Sequence, residues 1–259
     1  MSTIDIAARR VPPLGGFNAS LLRIELTRML RNRRTIVFTL IMPAALTLIF
    51  GGQSGWQERI GSGNVAAYLI VSMALYGAAL TSAANGAMVA LERATGWSRQ
   101  LRLTPLNPVA YILTKATLAL IMGGVAIIVV NIVGVLMGKA DMPVGVWIAS
   151  AVVALVCTLT FAALGVFVGY IVPGENAMQI LGPGLALLSF LGGVFIPLSN
   201  YPQAVRVVAY FSPMYGPAQI ARAPLTHDLP WYAIVNAVVW FCLFVAGAAW
   251  RMSKDTARV

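Results

Sequence analysis

Long apolar runs broken by short polar stretches repeat along this chain from Ile36 to Trp250. A helix needs about 20 mostly apolar residues to cross the hydrocarbon of a bilayer. By that measure the stretches 35–51, 65–91, 108–138, 144–172, 177–198 and 231–250 are expected to be six transmembrane helices. The third and fourth exceed the minimum, which permits tilt or extension into the headgroups. Breakers stand at the ends of the runs: Gly51-Gly52, Pro105, Pro108, Pro143, Pro173-Gly174, Pro197 and Pro230. The pattern predicts an all-α integral membrane protein, with a tail and amphipathic helix over 1–34, a membrane domain over 35–251 and a second tail over 252–259.

Two segments depart from this alternation. Ahead of the first span, Leu22, Leu26, Met29 and Leu30 share one helical face, while Arg23, Arg28, Arg31 and Arg34 occupy the other. That arrangement predicts a helix lying in the membrane interface. Between the fifth and sixth spans, Leu198 to Pro230 is apolar in part but carries prolines at 202, 213, 217, 224 and 230, which rule out one continuous helix. It is expected to form short helices that re-enter the bilayer, shielded by protein because lipid cannot satisfy irregular backbone.

Composition removes the water-soluble alternatives. The 259 residues are 59% hydrophobic and 10% charged, against about 25% charged in ordinary soluble domains. Mean hydropathy is +0.82. The net charge of +10 does not mark a nucleic-acid binder, because the cations sit between apolar runs rather than on a polar domain. Most of them (Arg9, Arg10, Arg23, Arg28, Arg31, Arg33, Arg34, Arg93, Arg99, Arg102, Lys115, Arg251, Lys254 and Arg258) fall on one side of a chain with an even number of spans. Arg59, Lys139, Arg206 and Arg222 fall on the other. Cations accumulate on the cytoplasmic side, so both termini are expected there and the chain in the plasma membrane. Residues 1–18 hold no apolar core of a cleavable signal. Cys157 and Cys242 lie within apolar runs and are expected to be buried hydrophobes.

Candidate chemistry is sparse. No G-x-x-x-x-G-K-[ST] loop is present to cradle a nucleotide's phosphates, so this chain is not expected to hydrolyse ATP. His227 stands beside Asp228, a pairing that arises readily by chance, and no catalytic or metal-ligating residue is assigned. All eight acids (Asp5, Glu25, Glu58, Glu92, Asp141, Glu175, Asp228 and Asp255) are placed in tails, loops or span ends, which argues against an intramembrane proton relay. Asn85, Asn131, Gln179 and Asn236 lie within spans and are expected to join helices. The Gly134-x-x-x-Gly138 and Gly165-x-x-x-Gly169 pairs allow close approach, expected within the chain rather than at a dimer seam.

One stretch is more specific. Glu92-Arg93-Ala94-Thr95-Gly96 and Leu101-Arg102-Leu103-Thr104-Pro105-Leu106-Asn107-Pro108, followed by Tyr111 and Lys115, resemble the E-R-x-x-G…L-R-x-T-P-L-x-P…Y…K segment of ABC-2 type permeases. Gly193-Val194-Phe195-Ile196-Pro197, Tyr201-Pro202 and Phe211-Ser212-Pro213 are similar to that family's G-x-x-x-P…P…(N/S)-P pattern. The Pro-Gly common near the start of the family's second span is absent, Ala67-Tyr68-Leu69-Ile70 standing there instead. The resemblance implies a permease subunit of an ATP-driven exporter of amphiphilic, antibiotic-like compounds, with polysaccharide or lipid-linked glycan export as the alternative and a non-transporting scaffold as another. It implies a second permease chain and cytoplasmic ABC ATPase subunits, which would bind the ATP and Mg while this chain binds no cofactor. Glu92, Arg93, Gly96, Trp97, Leu101, Arg102, Thr104 and Pro105 would couple to the ATPase together with the basic helix carrying Arg23, Arg28, Arg31 and Arg34. Gly193, Phe195, Pro197, Pro202 and Pro213 would belong to the outer gate. A helix from 97 to 103 would put Trp97 and Leu101 one turn apart as an apolar anchor, with Glu92 and Arg93 as rim charges.

Overall fold

The computed structural model describes residues 17, 19–50, 57–96, 108–174 and 176–256. The chain opens with α1 (Ala19–Arg31), followed by α2 (Arg33–Ile36), a π turn (Val37–Ile41) and α3 (Met42–Phe50). Pro43 explains the π turn. It has no N–H to offer the carbonyl of Thr39, four residues back, so the ordinary ladder cannot continue. Met42 donates instead to Val37, and the hydroxyl of Thr81 donates to the Thr39 carbonyl at 3.3 Å.

Four helices among the described residues are long and apolar enough to cross a membrane: α4 (Val65–Ala94), α5 (Pro108–Leu136), α6 (Val144–Ile171) and α10 (Trp231–Thr256). The expected first and fifth spans are shorter apolar helices, Thr39–Phe50 and α7 (Asn176–Leu191). The fifth was expected to reach residue 198, but Gly193 stops it. At φ +71 it adopts the left-handed conformation of a helix C-terminus. Gly193 N–H then returns to Phe190 at 3.1 Å and Val194 N–H to Ser189 at 2.9 Å, closing a Schellman turn.

α4 is the axle of the bundle. In its most apolar stretch 83% is buried, against 17% for α10, whose flanks stay exposed. Small residues make this possible, because helices in a bilayer associate by close packing. A Cβ on Gly165 would fall 2.0 Å from the carbonyl oxygen of Ala83, and one on Gly86 2.4 Å from that of Ala162. The contacts Ala83–Gly165 and Ala87–Gly169 advance together along both helices, so α4 and α6 run parallel. On the other flank Ser82 Oγ donates to Ala119 at 3.1 Å while Ile70 abuts Gly134, so α5 runs antiparallel. Gly165 and Gly169 therefore serve packing within the chain, whereas a Cβ on Gly138 would meet nothing.

The end of the bundle reached by α3 and α5 is here called the top, and the end bearing α1 the base. At the top a small antiparallel hairpin, β1 (Arg59–Ile60) with β2 (Gly63–Asn64), precedes α4. Asn64 Oδ1 accepts from Ala67 N–H at 3.0 Å and Asp141 N–H at 3.1 Å, while Nδ2 donates to Lys139 at 2.8 Å. One side chain thus caps α4 and fastens the α5–α6 connection. The 198–230 segment forms a 3-10 turn (Leu198–Asn200), α8 (Gln203–Tyr210) and α9 (Tyr215–Thr226). As expected, no continuous helix spans it, though two of its prolines lie within a helix. Pro217 sits in the first turn of α9, where no amide partner is lost, and Pro224 lies inside its last turn. The break falls at Pro213 between α8 and α9. Ser62 N–H donates to the Leu225 carbonyl at 2.9 Å, tying the hairpin to α9.

Gly165→Val should separate α4 from α6 and cost about 1–3 kcal/mol of stability, the usual scale of overpacking. Thermal melting of the detergent-solubilised protein tests this. Gly145→Ala, where a Cβ meets nothing within 4 Å, is the neutral control.

Candidate functional site

Polar side chains gather at three levels along α4. At the base, Glu92 is fully buried in the last turn of the helix. Lys115 of α5, 5% exposed, reaches both Glu92 and, at 3.2 Å, Glu25 of α1, itself 6% exposed. Tyr111 donates its hydroxyl to Glu92 Oε2 at 2.6 Å, and Arg28 Nη1 lies 3.6 Å from Oε1. The charges balance, two carboxylates against an ammonium and a guanidinium. That balance is what makes burial tolerable, since an unpaired ion in such surroundings is costly. Beside the knot Leu22, Leu26 and Met29 of α1 pack on Leu118 and Met122 of α5. Leu30, expected on the same apolar face, is instead 50% exposed.

Arg93 turns the other way. Its Nη1 donates to the carbonyls of Gly169 and Tyr170 at 3.3 and 3.2 Å, and its guanidinium lies 5.2 Å from the Tyr170 ring centre. It thereby covers carbonyls at the open C-terminal end of α6. Neither Glu92 nor Arg93 is an exposed rim charge. Glu92 is not a loop acid either, because α4 continues past it and α1 and α5 close over it.

Above the knot a cavity of about 440 Å³ opens between α3, α4 and α7. Its walls are mostly apolar, including Met42, Leu80, Met88 and Leu181, with Asn32, Leu91 and Gly174 toward the base. Polar points are few. Thr39 and Gln179 line it, each four residues before a proline (Pro43 and Pro183) that withholds the usual helical donor from their carbonyls. Tyr76, the lining residue of α4 nearest the top, has a buried hydroxyl with no partner among the described residues. Both polar atoms of the buried Asn85 amide are also unpartnered there, so Asn85 does not join helices as expected. Asn236 does: it accepts from Gly216 N–H at 3.1 Å and donates to the Tyr210 carbonyl at 2.9 Å, linking α10 to α8 and α9.

Phe195 packs edge-on against Tyr76, ring centres 5.0 Å apart, and stands near Phe190 and Phe50 at 4.7 and 6.1 Å. Gly193 forms the turn that brings it there, Pro197 precedes the 3-10 turn, Pro202 leads into α8, and Pro213 separates α8 from α9. Higher still, Arg222 of α9 is buried against Tyr68 of α4. Gly96 ends α4 at φ +74. Trp97, Leu101, Arg102, Thr104 and Pro105 lie outside the described residues, as do Trp56, Glu175 and the side chain of Arg34. Arg23 and Arg31 are exposed on α1. His227 is exposed at the end of α9. Among the described residues no three His, Cys, Asp or Glu groups are placed to hold a metal.

The sequence profile of the family described as "ABC-2 type transporter" matches residues 18–226. A Bacillus subtilis (strain 168) protein described as "Putative transport permease YvfS" is 26% identical over 243 residues, covering 90% of this chain and 96% of its own length.

Removing the cation at the centre of the base knot strands two carboxylates. Lys115→Met should cost about 3–5 kcal/mol, the usual penalty for breaking a buried ion pair from one side. Adding Glu25→Gln and Glu92→Gln to that variant should recover part of the loss. Melting temperature and the monodisperse fraction on size exclusion report both effects.

Proposed function

The chain belongs to the ABC-2 type transporter family, and from that premise we propose that it is the membrane-spanning subunit of an ATP-driven exporter of amphiphilic, drug-like compounds. It is a multi-pass membrane protein and a transporter subunit. In our proposal the two shorter apolar helices also cross, giving six spans with the base and both termini in the cytoplasm of a plasma-membrane protein. The cation bias along the sequence supports this orientation. ATP and Mg bind to a separate ATPase subunit, and two permease chains, identical or related, form the transport unit.

One observation carries the reading of cargo. The cavity between α3, α4 and α7 runs from Asn32, Leu91 and Gly174 near the base to Tyr76, which packs against Phe195. Methionine, leucine and alanine walls with few polar points, the Gln179 side chain and the Tyr76 phenol among them, suit an apolar body with one or two polar groups. A hydroxyl-rich glycan would leave most of its groups unpaired on such walls, which favours amphiphiles over polysaccharide. In the proposed cycle ATP-driven movement reaches the permease through α1 and the segment after Gly96. The knot of Glu25, Arg28, Glu92 and Lys115 makes α1, α4 and α5 respond together, and the 192–230 segment yields at the top.

Ala84→Trp, placed on the cavity wall, should abolish substrate-stimulated ATP turnover and export in the reconstituted complex while ATPase co-purification stays normal. Undiminished export would remove the cavity from the pathway. Trp97→Ala with Leu101→Ala should weaken ATPase association at least tenfold, as expected when hot-spot anchors worth about 2 kcal/mol each are cut back. Unchanged co-purification at normal membrane levels would overturn that role. A cysteine at Asn200 should react with an impermeant thiol reagent from outside intact cells, and labelling only after permeabilisation would invert the orientation.

A further inference from the structure

Arg222 lies in the second half of α9 with 2% of its surface exposed. Its Nε donates to the Ala218 carbonyl at 2.8 Å. Nη1 donates to the Gly193 carbonyl at 2.9 Å and to the Tyr68 hydroxyl, whose ring centre lies 4.6 Å from the guanidinium carbon. Nη2 is buried and has no partner among the described residues. The ion pairs among those residues do not include Arg222. At the base, by contrast, Lys115 is held between two carboxylates. A guanidinium stays protonated even when buried, so Arg222 is a permanent cation solvated only by neutral oxygens and one aromatic face. Such a group is expensive within a membrane protein, and its retention points to use.

Its position along α4 says what use. The cavity occupies the face of Leu91, Ala84, Leu80 and Tyr76, and Phe195 packs against Tyr76. Tyr68, which carries Arg222, is two turns beyond Tyr76, about 12 Å at the rise of an α-helix. The Gly193 carbonyl on Nη1 belongs to the same turn that positions Phe195. A movement of this turn that carried Phe195 aside would also withdraw a partner from Arg222. Nη1 and the already unpartnered Nη2 then present two donors in the fork that matches a carboxylate or phosphate.

We propose that Arg222 is an anion-recognition point on the exit side of the cavity, so that the favoured cargo is an amphiphile bearing a phosphate or carboxylate. This rests on the export reading above. Closed, the guanidinium holds the α7 turn to α4 and α9. Open, it takes the anionic group of the departing molecule.

The test uses the complex of this chain with its ATPase, isolated from native membranes and reconstituted in phosphatidylcholine vesicles. ATP turnover is titrated with lysophosphatidate, lysophosphatidylcholine and monoacylglycerol of one chain length. Wild type should be half-stimulated by lysophosphatidate at about tenfold lower concentration than by the other two, the scale of one or two charge-assisted hydrogen bonds. Arg222→Gln should lose that preference and keep the monoacylglycerol response. Arg222→Lys should keep part of it, because charge remains without the fork. Equal stimulation of wild type by all three overturns the proposal by itself, whether or not the variants fold. So does an equal shift of all three responses in Arg222→Gln. A preference abolished by phosphatidylglycerol in the vesicles would assign the site to bilayer headgroups and overturn cargo selection. No stimulation by any of the three would sink the export reading, a different outcome from stimulation without preference.

Discussion

Everything in this bundle depends on how closely α4 can be approached. Helices in a bilayer gain little from hiding apolar surface, because lipid is as apolar as leucine, and they hold together by contact. Ala83, Gly86 and Ala87 on one flank and Gly77 and Ser82 on others remove the bulk that would keep neighbours away. With α6 seated against backbone, α5 and α3 find their own strips of the same helix. The Glu92 knot, the cavity and the Tyr68–Arg222 contact are then spaced along one rigid rod.

The second constraint is polar accounting. Each proline in a membrane helix leaves a carbonyl without its donor, and each ion needs a counterpart. The base resolves its account internally: Arg93 covers Gly169 and Tyr170, and four charged groups cancel. Away from the base the account stays open among the described residues, at Tyr76 on the cavity wall and at Asn85, Ser150 and Arg222. Closed accounts make rigid structure. Open ones are where a passing molecule would find something to bind.

Much of the architecture was legible because length and hydropathy act over many residues at once. α4, α5, α6 and α10 fall where apolar runs predict, and Gly165 and Gly169 pack within the chain. Local backbone chemistry was harder to read. Gly193 ends α7 by a turn whose left-handed residue could not be told from the other glycines of that run, Pro217 sits in a first turn that tolerates it, and Pro224 is carried inside the last turn of α9. The site was half legible. Glu92, Arg93, Tyr111 and Lys115 stood out as a pattern, yet burial inverted the role expected of the charges. One overlooked signal was Glu25, an acid on the apolar face between Leu22 and Met29, and the depth of Lys115 inside an apolar run was another. Arg222 gave no such signal, since only the fold of a proline-rich segment buries it.

The bond from Ser62 to Leu225 and the seating of Arg222 on Tyr68 join residues at opposite ends of the sequence. During synthesis α4 emerges and enters the membrane long before α9 exists. The top of the bundle is therefore closed late, after α5, α6 and α7 have had time to find α4. A chain stalled before α9 would hold its small-residue contacts and its base knot but lack the piece that seals the far end.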